Sequence, residues 1–338
     1  HFSHLHTLFS IMRPFHYTFF FTVLAVLSIS SCSHNTDNLD RNESLRVLDA
    51  KIKRDSNNAD LYYQRSLILI DMGKDSSRSS YSKDAIADLQ RATHIDNTKP
   101  DYFTALADAH FSLGNVGNSY TALQKALAID PDNFEAHLKM GEIAFYSKDY
   151  DRAIESLNHV TEKDRNNQTA LFMKGFIYKE NGDTTSAVYY FRRLIDLYPD
   201  YEPAYEELGF LFSQHRNKLG IEYLTTALSL QPDNINILYA LAQTYQEAED
   251  AETASNYYVR ILEIDSTYKY AWFNRGRMEM ELYEDYINAT EFFSKAIQCD
   301  PQFAEAYHNL GLTYELMGDN TKAEGYYAQA RQLGYGSE

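Results

Sequence analysis

The chain has 338 residues, of which 48 are acidic and 31 basic, giving a formal net charge of −17. A nucleic-acid binder needs a basic stripe to neutralise phosphates, and no such stripe is present, which excludes that class. With two cysteines, Cys32 and Cys299, there is no disulfide framework.

In chain order, the first feature is Met12-Arg13 followed by the apolar run Phe15–Ile29 and then Ile29-Ser30-Ser31-Cys32. The run is short for a bilayer span and has the anatomy of an export signal. An apolar residue, two small ones and a cysteine resemble the lipobox of bacterial lipoproteins. That resemblance implies removal of residues 12–31 and a lipid on Cys32, with export to the cell envelope. With Ser33 after the cysteine, the expected location is the outer membrane, facing the periplasm. Residues 1–11 read as an over-extended start ahead of Met12, which makes His1, His4 and His6 irrelevant. Residues 32–42 read as a flexible tether, and 43–58 as a helix capping the open end of a repeat array that begins at Ala59.

From Ala59 to Ser337 the chain repeats about every 34 residues. Eight units read as 59–99, 100–133, 134–167, 168–201, 202–234, 235–268, 269–303 and 304–337. Position eight of each is small: Ser66, Ala107, Gly141, Gly175, Gly209, Ala242, Gly276, Gly311. Position twenty is also small, from Ala85 and Ser119 to Ala289 and Ala323. Position twenty-four is large: Leu89, Leu123, Leu157, Phe191, Leu224, Tyr258, Phe293, Tyr327. Small residues at fixed offsets let two antiparallel helices approach closely, and large ones fill the space beside them. Asn181-Gly182-Asp183 and Gly318-Asp319-Asn320 signal turns inside repeats, and Asp130-Pro131 and Gln231-Pro232 signal turns between them. The first repeat is longer through the Ser-rich 75–80, the fifth shorter around 215–218 and the seventh longer around 283–286, all expected in loops. His110 and Glu279 stand at position eleven, where an apolar or aromatic residue is usual.

These offsets resemble the tetratricopeptide repeat (TPR) family. The resemblance implies an all-α, right-handed superhelical solenoid of about eight helix-turn-helix repeats. It also implies that the first helices line a concave, partner-binding groove. Carried over to this sequence, the groove residues are Phe145, Tyr146, Phe172, Phe176, Phe210, Tyr239, Gln243, Tyr270, Phe273 and Arg277. Among them lie Glu142, Lys179, Glu180 and Glu206. Such a floor suits a peptide with apolar anchors and basic flanks; equally, aromatic stripes at helical spacing are often core. The Lys/Asn clamp of chaperone-binding members cannot form, because Asp101, Asp108, Glu135 and Glu142 occupy its positions. Asn274 and Asn309 could form two rungs of an asparagine ladder.

There is no H-E-x-x-H, G-x-S-x-G, P-loop or Cys/His metal spacing, so no catalytic centre, cofactor or metal is expected. The expectation is a non-catalytic, lipid-anchored scaffold that binds envelope proteins. Alternatives are a self-associating structural subunit and a carbohydrate-binding surface.

Overall fold

A computed structural model describes residues 34–73, 79–213 and 218–336. The export signal with Cys32, residues 1–11, most of the Ser-rich stretch and the turn at 214–217 lie outside the described residues. The described residues form seventeen helices and no strand. Helix α1 is His34–Arg54, and eight hairpins follow it. These pair α2 (Ala59–Met72) with α3 (Ser79–Ile95), α4 (Pro100–Ser112) with α5 (Val116–Ile129), and α6 (Phe134–Tyr146) with α7 (Tyr150–Lys163). Next come α8 (Gln168–Glu180) with α9 (Thr184–Leu197) and α10 (Glu202–Ser213) with α11 (Lys218–Leu230). The last three are α12 (Ile235–Glu247) with α13 (Ala251–Ile264), α14 (Lys269–Glu281) with α15 (Tyr286–Cys299), and α16 (Ala304–Leu316) with α17 (Asn320–Gln332). Each expected repeat therefore holds one hairpin. The chain divides into two compact units, the first ending at Lys139 and the second running from Met140.

In the first unit, α1 packs on α2. It buries Leu48 and Ile52, and its Asp49 takes an ion pair from Arg65 at 2.6 Å. Arg65 also grips the buried Asp88 of α3 through two nitrogens. The helix starts at His34, within the segment read as a tether. The stretch 34–42 is almost wholly polar and so gives no periodic signal in sequence. Its last turn carries Lys51, Lys53 and Arg54, which suit the negative end of the helix dipole.

The close contact expected from the small residues is present. A methyl group at Gly175 would lie 2.7 Å from the Phe191 ring, and one at Gly276 2.8 Å from that of Phe293. Gly141 faces Leu157, Gly209 faces Leu224 and Gly311 faces Tyr327 in the same way. Leu89, Leu123, Leu157, Phe191, Leu224, Tyr258 and Phe293 have 0% exposure, so position twenty-four is the centre of every hairpin but the last.

Polar residues fix the turns. Asp149, Asp183, Asp250, Asp285 and Asp319 each cap a second helix, accepting from the backbone N–H three residues on. At the ends of second helices, Asp96, Asp130, Asp164, Asp265 and Asp300 accept from the N–H two residues on. Much of the acidic excess is thus used in turns. Position four adds a feature not read from sequence. Tyr62, His137 and Trp272 each reach a carbonyl six residues back, on Ser56, Pro131 and Ser266, and so tie the first helix to the turn before it. Cys299 is half-buried, with its Sγ 3.9 Å from the Ser266 carbonyl.

Gly175→Leu is expected to lower stability by about 1–3 kcal/mol or more, because Phe191 is fully enclosed and cannot yield; a denaturant melt measures this. Conversely, Glu249 holds the left-handed turn position (φ 63°) that Gly182 and Gly318 occupy in other repeats. Glu249→Gly is expected to raise stability by roughly 0.5–1 kcal/mol, the left-handed strain outweighing the added chain entropy.

Candidate functional site

In the second unit the first helices place the expected groove residues in two aromatic nests with a buried carboxyl cluster between them in sequence. The first nest joins α6, α8 and the turn before α10. Phe145 meets Phe176 edge-on at 5.6 Å, Phe176 stacks on Phe172 at 6.2 Å, and Phe172 meets Tyr201 edge-on at 5.7 Å. Tyr146 is half-buried beside Phe145, and burial, with Glu142 nearby, pushes its hydroxyl up to about 12. Phe172 and Phe176, expected to face a partner, are only 3% and 5% exposed. They are walls of the hairpin contact, because α9 presses Phe191 against Phe172.

The second nest joins α12, α14 and the turn before α16. Tyr239 touches Tyr258, Tyr268 and Tyr270 at 5.7–6.3 Å, while Phe273 packs on Phe293 and Phe303. The buried Asn274 donates its amide to the Tyr239 hydroxyl at 2.9 Å. Asn309 donates to the Glu305 carbonyl. Each asparagine amide thus has one N–H engaged inside the protein. Arg277 makes two 3.0 Å bonds to Glu281 one turn away. Gln243 and Phe210 remain half-buried, Phe210 against the core around Leu224 and Tyr258.

Each nest already holds a lysine of this chain. Lys179 Nζ sits 4.0 Å from the Phe176 ring centre and 2.7 Å from Glu207. Lys269 lies over Tyr270 and Phe303 at 4.9 and 4.7 Å and pairs with Asp300. Aromatic rings attract cations through their negative faces, and here those faces are occupied internally. Lys174 is a third such residue: it is 3% exposed, donates to Thr161 at 2.9 Å, and is lowered in pKa chiefly by its burial.

Beside Lys179, α10 opens with three carboxyl groups, Glu202, Glu206 and Glu207, at 5%, 2% and 4% exposure. One lysine cannot neutralise three buried carboxylates. Burial raises Glu206 to about 9 and Glu202 to about 7, and the two side chains hydrogen-bond to each other. Glu202 Oε1 and Glu206 Oε2 have no other partner. A proton held by Glu206 and shared with Glu202 satisfies both. Sequence reading placed Glu206 in the groove but missed Glu202 and the cluster; the available signal was three acids within six residues on one helical segment. Among the described residues, no group of three or more His, Cys, Asp or Glu is placed to hold a metal ion.

Models of tetratricopeptide repeats match residues 107–146, 134–167, 169–201, 235–268 and 292–325. The chain belongs to the tetratricopeptide repeat family. It is 25% identical over 261 residues to the Protein CTR9 homolog of Arabidopsis thaliana, covering 72% of this chain and 24% of that protein. It is 23% identical over 328 residues to DnaJ homolog subfamily C member 7 of Mus musculus, covering 77% of this chain and 64% of that protein. The chain thus spans between a quarter and two-thirds of these relatives' lengths. The fold matches the C-terminal part of a TPR repeat-containing protein from Cytophaga hutchinsonii. That match has a TM-score of 0.59 at 18% identity and covers 68% of this chain and 95% of that one. The matched models describe repeats, and none names an enzyme.

The carboxyl cluster has a signed consequence. Raised folded-state values mean that its contribution to stability is full below about 4.5, the ordinary glutamate value, and is lost as pH climbs through about 7 and about 9. The capping aspartates run the other way: Asp183 and Asp319, held low by hydrogen bonds, lose their contribution only below the ordinary value of 3.8. Melting temperature is therefore expected to fall between pH 6 and pH 9 as the cluster ionises. Glu206→Gln should flatten that fall, and thermal melts should place the variant a few degrees above the parent at pH 9, at about 2–4 °C per kcal/mol.

Proposed function

We propose that this chain is a non-catalytic scaffold, anchored by lipid on Cys32 in a bacterial envelope, that binds partner proteins on the first-helix face of its repeats. The observation that carries the binding half is a tandem TPR array whose first helices keep half-buried aromatic, amide and charged groups side by side: Phe145, Tyr239, Gln243, Tyr270 and Arg277. A core needs none of this polarity, whereas a partner surface combines apolar anchors with hydrogen-bonding groups. The relatives fit an interaction role, since they share repeats while differing in name and length. The anchoring half rests on the lipobox-like Ile29-Ser30-Ser31-Cys32. Holding an array at a membrane raises the local concentration of whatever it binds, without added chemistry.

Because Lys179 and Lys269 already fill the ring faces, partner contact falls to ring edges and to Gln243 and Arg277 rather than to a new cation–π seat. Affinity capture from bacterial envelope extracts should retain partners on the parent and lose them on a Gln243→Arg, Arg277→Glu double variant with unchanged melting. Equal capture by both would remove the first-helix face from the reading. Labelling with radioactive palmitate in a bacterial host should mark the parent and not Cys32→Ala; label on both, or on neither, would remove the anchor.

A second reading, self-association, is favoured by Leu282, Tyr283, Ile287, Leu316 and Met317. They lie on or beside the inter-helix turns of the last two repeats and are 46–73% exposed. Light scattering of the parent against Ile287→Glu separates the two readings: a loss of mass in the variant supports association, and a monomer in both rejects it.

A further inference from the structure

In the first unit, the second helices α3 and α5 stand apart over α4 and leave a cleft of about 760 Å³. Its floor is Phe103, Leu106 and His110, spaced i, i+3 and i+7 on one face of α4. The α3 wall is Gln90, Thr93 and His94, continued by Asn97. The α5 wall runs from Asn118 through Ala122 and Lys125 to Ile129.

The cleft has a physical origin in position eleven. In four other repeats this position carries a ring stacked on a ring of its second helix: Tyr178 on Tyr190, Phe212 on Tyr223, Tyr245 on Tyr257 and Tyr314 on Tyr326, at 5.5–5.7 Å. In the second repeat the position is His110, and Ala122 stands where the opposing ring would be. Losing one ring and shrinking the other opens space over α4. The change also leaves a polar atom behind, because His110 Nδ1 is buried with no hydrogen-bond partner. Burial lowers the pKa of this imidazole and favours its neutral form, with one N–H to give.

The lining has a second distinctive property. The protein carries 48 acidic residues, yet among the described residues no carboxylate lines the cleft, and Lys125, His94 and His110 do. Lys125 Nζ lies 5.9 Å from the centre of the Phe103 ring, so the cation and the apolar floor adjoin. The remaining polar groups, Gln90, Thr93, Asn97, Asn118 and Thr121, are uncharged. Phe103 and Ala122 are buried, and Ile129 is 37% exposed at the rim. A cleft in this size range suits a small molecule. One lysine, backed by two imidazoles, matches one carboxylate better than a doubly charged phosphate.

We infer that this cleft binds a small organic acid, its apolar body on Phe103 and Leu106 and its carboxylate between Lys125 and the His110 ring. The site lies within the first unit, among α3, α4 and α5, shares no residue with the partner face proposed above, and does not depend on that reading.

The test uses the full chain and 3-phenylpropionate as probe, with 3-phenylpropanamide and 3-phenylpropylamine as its neutral and cationic counterparts. Histidine-selective NMR follows the ring signals, assigned through His94→Gln and His110→Gln. The acid is expected to shift both ring signals saturably, with a dissociation constant on the order of millimolar for a probe of this size. The amide and amine should bind at least about tenfold more weakly, the worth of one charge-assisted hydrogen bond. Lys125→Gln, an exposed change that spares the fold, should weaken the acid by a similar factor. His110→Phe should restore a ring over α4 and abolish binding. Unmoved histidine signals, equal binding of acid and amide, or indifference to Lys125→Gln would each overturn the inference.

Discussion

The structure depends on one contact, repeated in each hairpin: a residue with little or no side chain on the first helix against a large one on the second. At Gly141, Gly175, Gly209, Gly276 and Gly311 an added methyl group would collide with the opposing side chain. The separation of each helix pair is therefore set by the ring or leucine filling the gap. Interiors packed at this density do not absorb extra atoms, so the contact tolerates wide variation elsewhere but little at itself. Once the first and second helices are locked together, each repeat presents the remaining faces of both helices to its neighbours or to solvent. The chemistry of the protein is whatever the sequence places on those faces.

That hierarchy explains what could be read from the sequence. Hairpin positions, their register and their loop irregularities follow from spacing alone, since small and large residues recur at fixed offsets. The aspartate caps are legible for the same reason. The fate of individual rings is not. Phe172 and Phe273 occupy the same offset, yet Phe172 is buried against Phe176, Phe191 and Tyr201, while Phe273 is half-buried. What differs is the ring that closes the repeat, Tyr201 in one case and Phe303 in the other, and how it packs is set in three dimensions rather than by period.

The same limit hid the charges. Glu202 and Glu207 stand in the first turns of a helix, where a carboxylate favours the dipole. Burial instead makes Glu202 and Glu206 a proton-holding pair, while Glu207 bonds Lys179. His110 shows the reverse. The sequence shows it as an irregular residue where an apolar or aromatic one is usual. Repacking did not close the gap, because Ala122 opposite it is small as well. Two modest departures from the pattern, His110 and Ala122, meet in this hairpin beside the cleft.

The two surfaces differ in how their cations are used, and this bears on what each can bind. Lys179 and Lys269 are consumed: each lies on aromatic faces and touches a carboxylate of its own unit. A partner approaching that face meets neutralised charge, so contact there depends on shape, ring edges and hydrogen bonds more than on Coulomb attraction. Around Lys125 no carboxylate joins the lining, and an apolar floor lies directly beside the cation. In an acidic protein a basic cleft is surrounded by a field that repels anions at long range, which slows their entry. Within about 8–10 Å, the screening length at physiological salt, local groups dominate. A ligand of single charge with an apolar body suffers least from the repulsion and gains most from the floor. Net charge and local site therefore select together for a weakly charged, amphipathic anion.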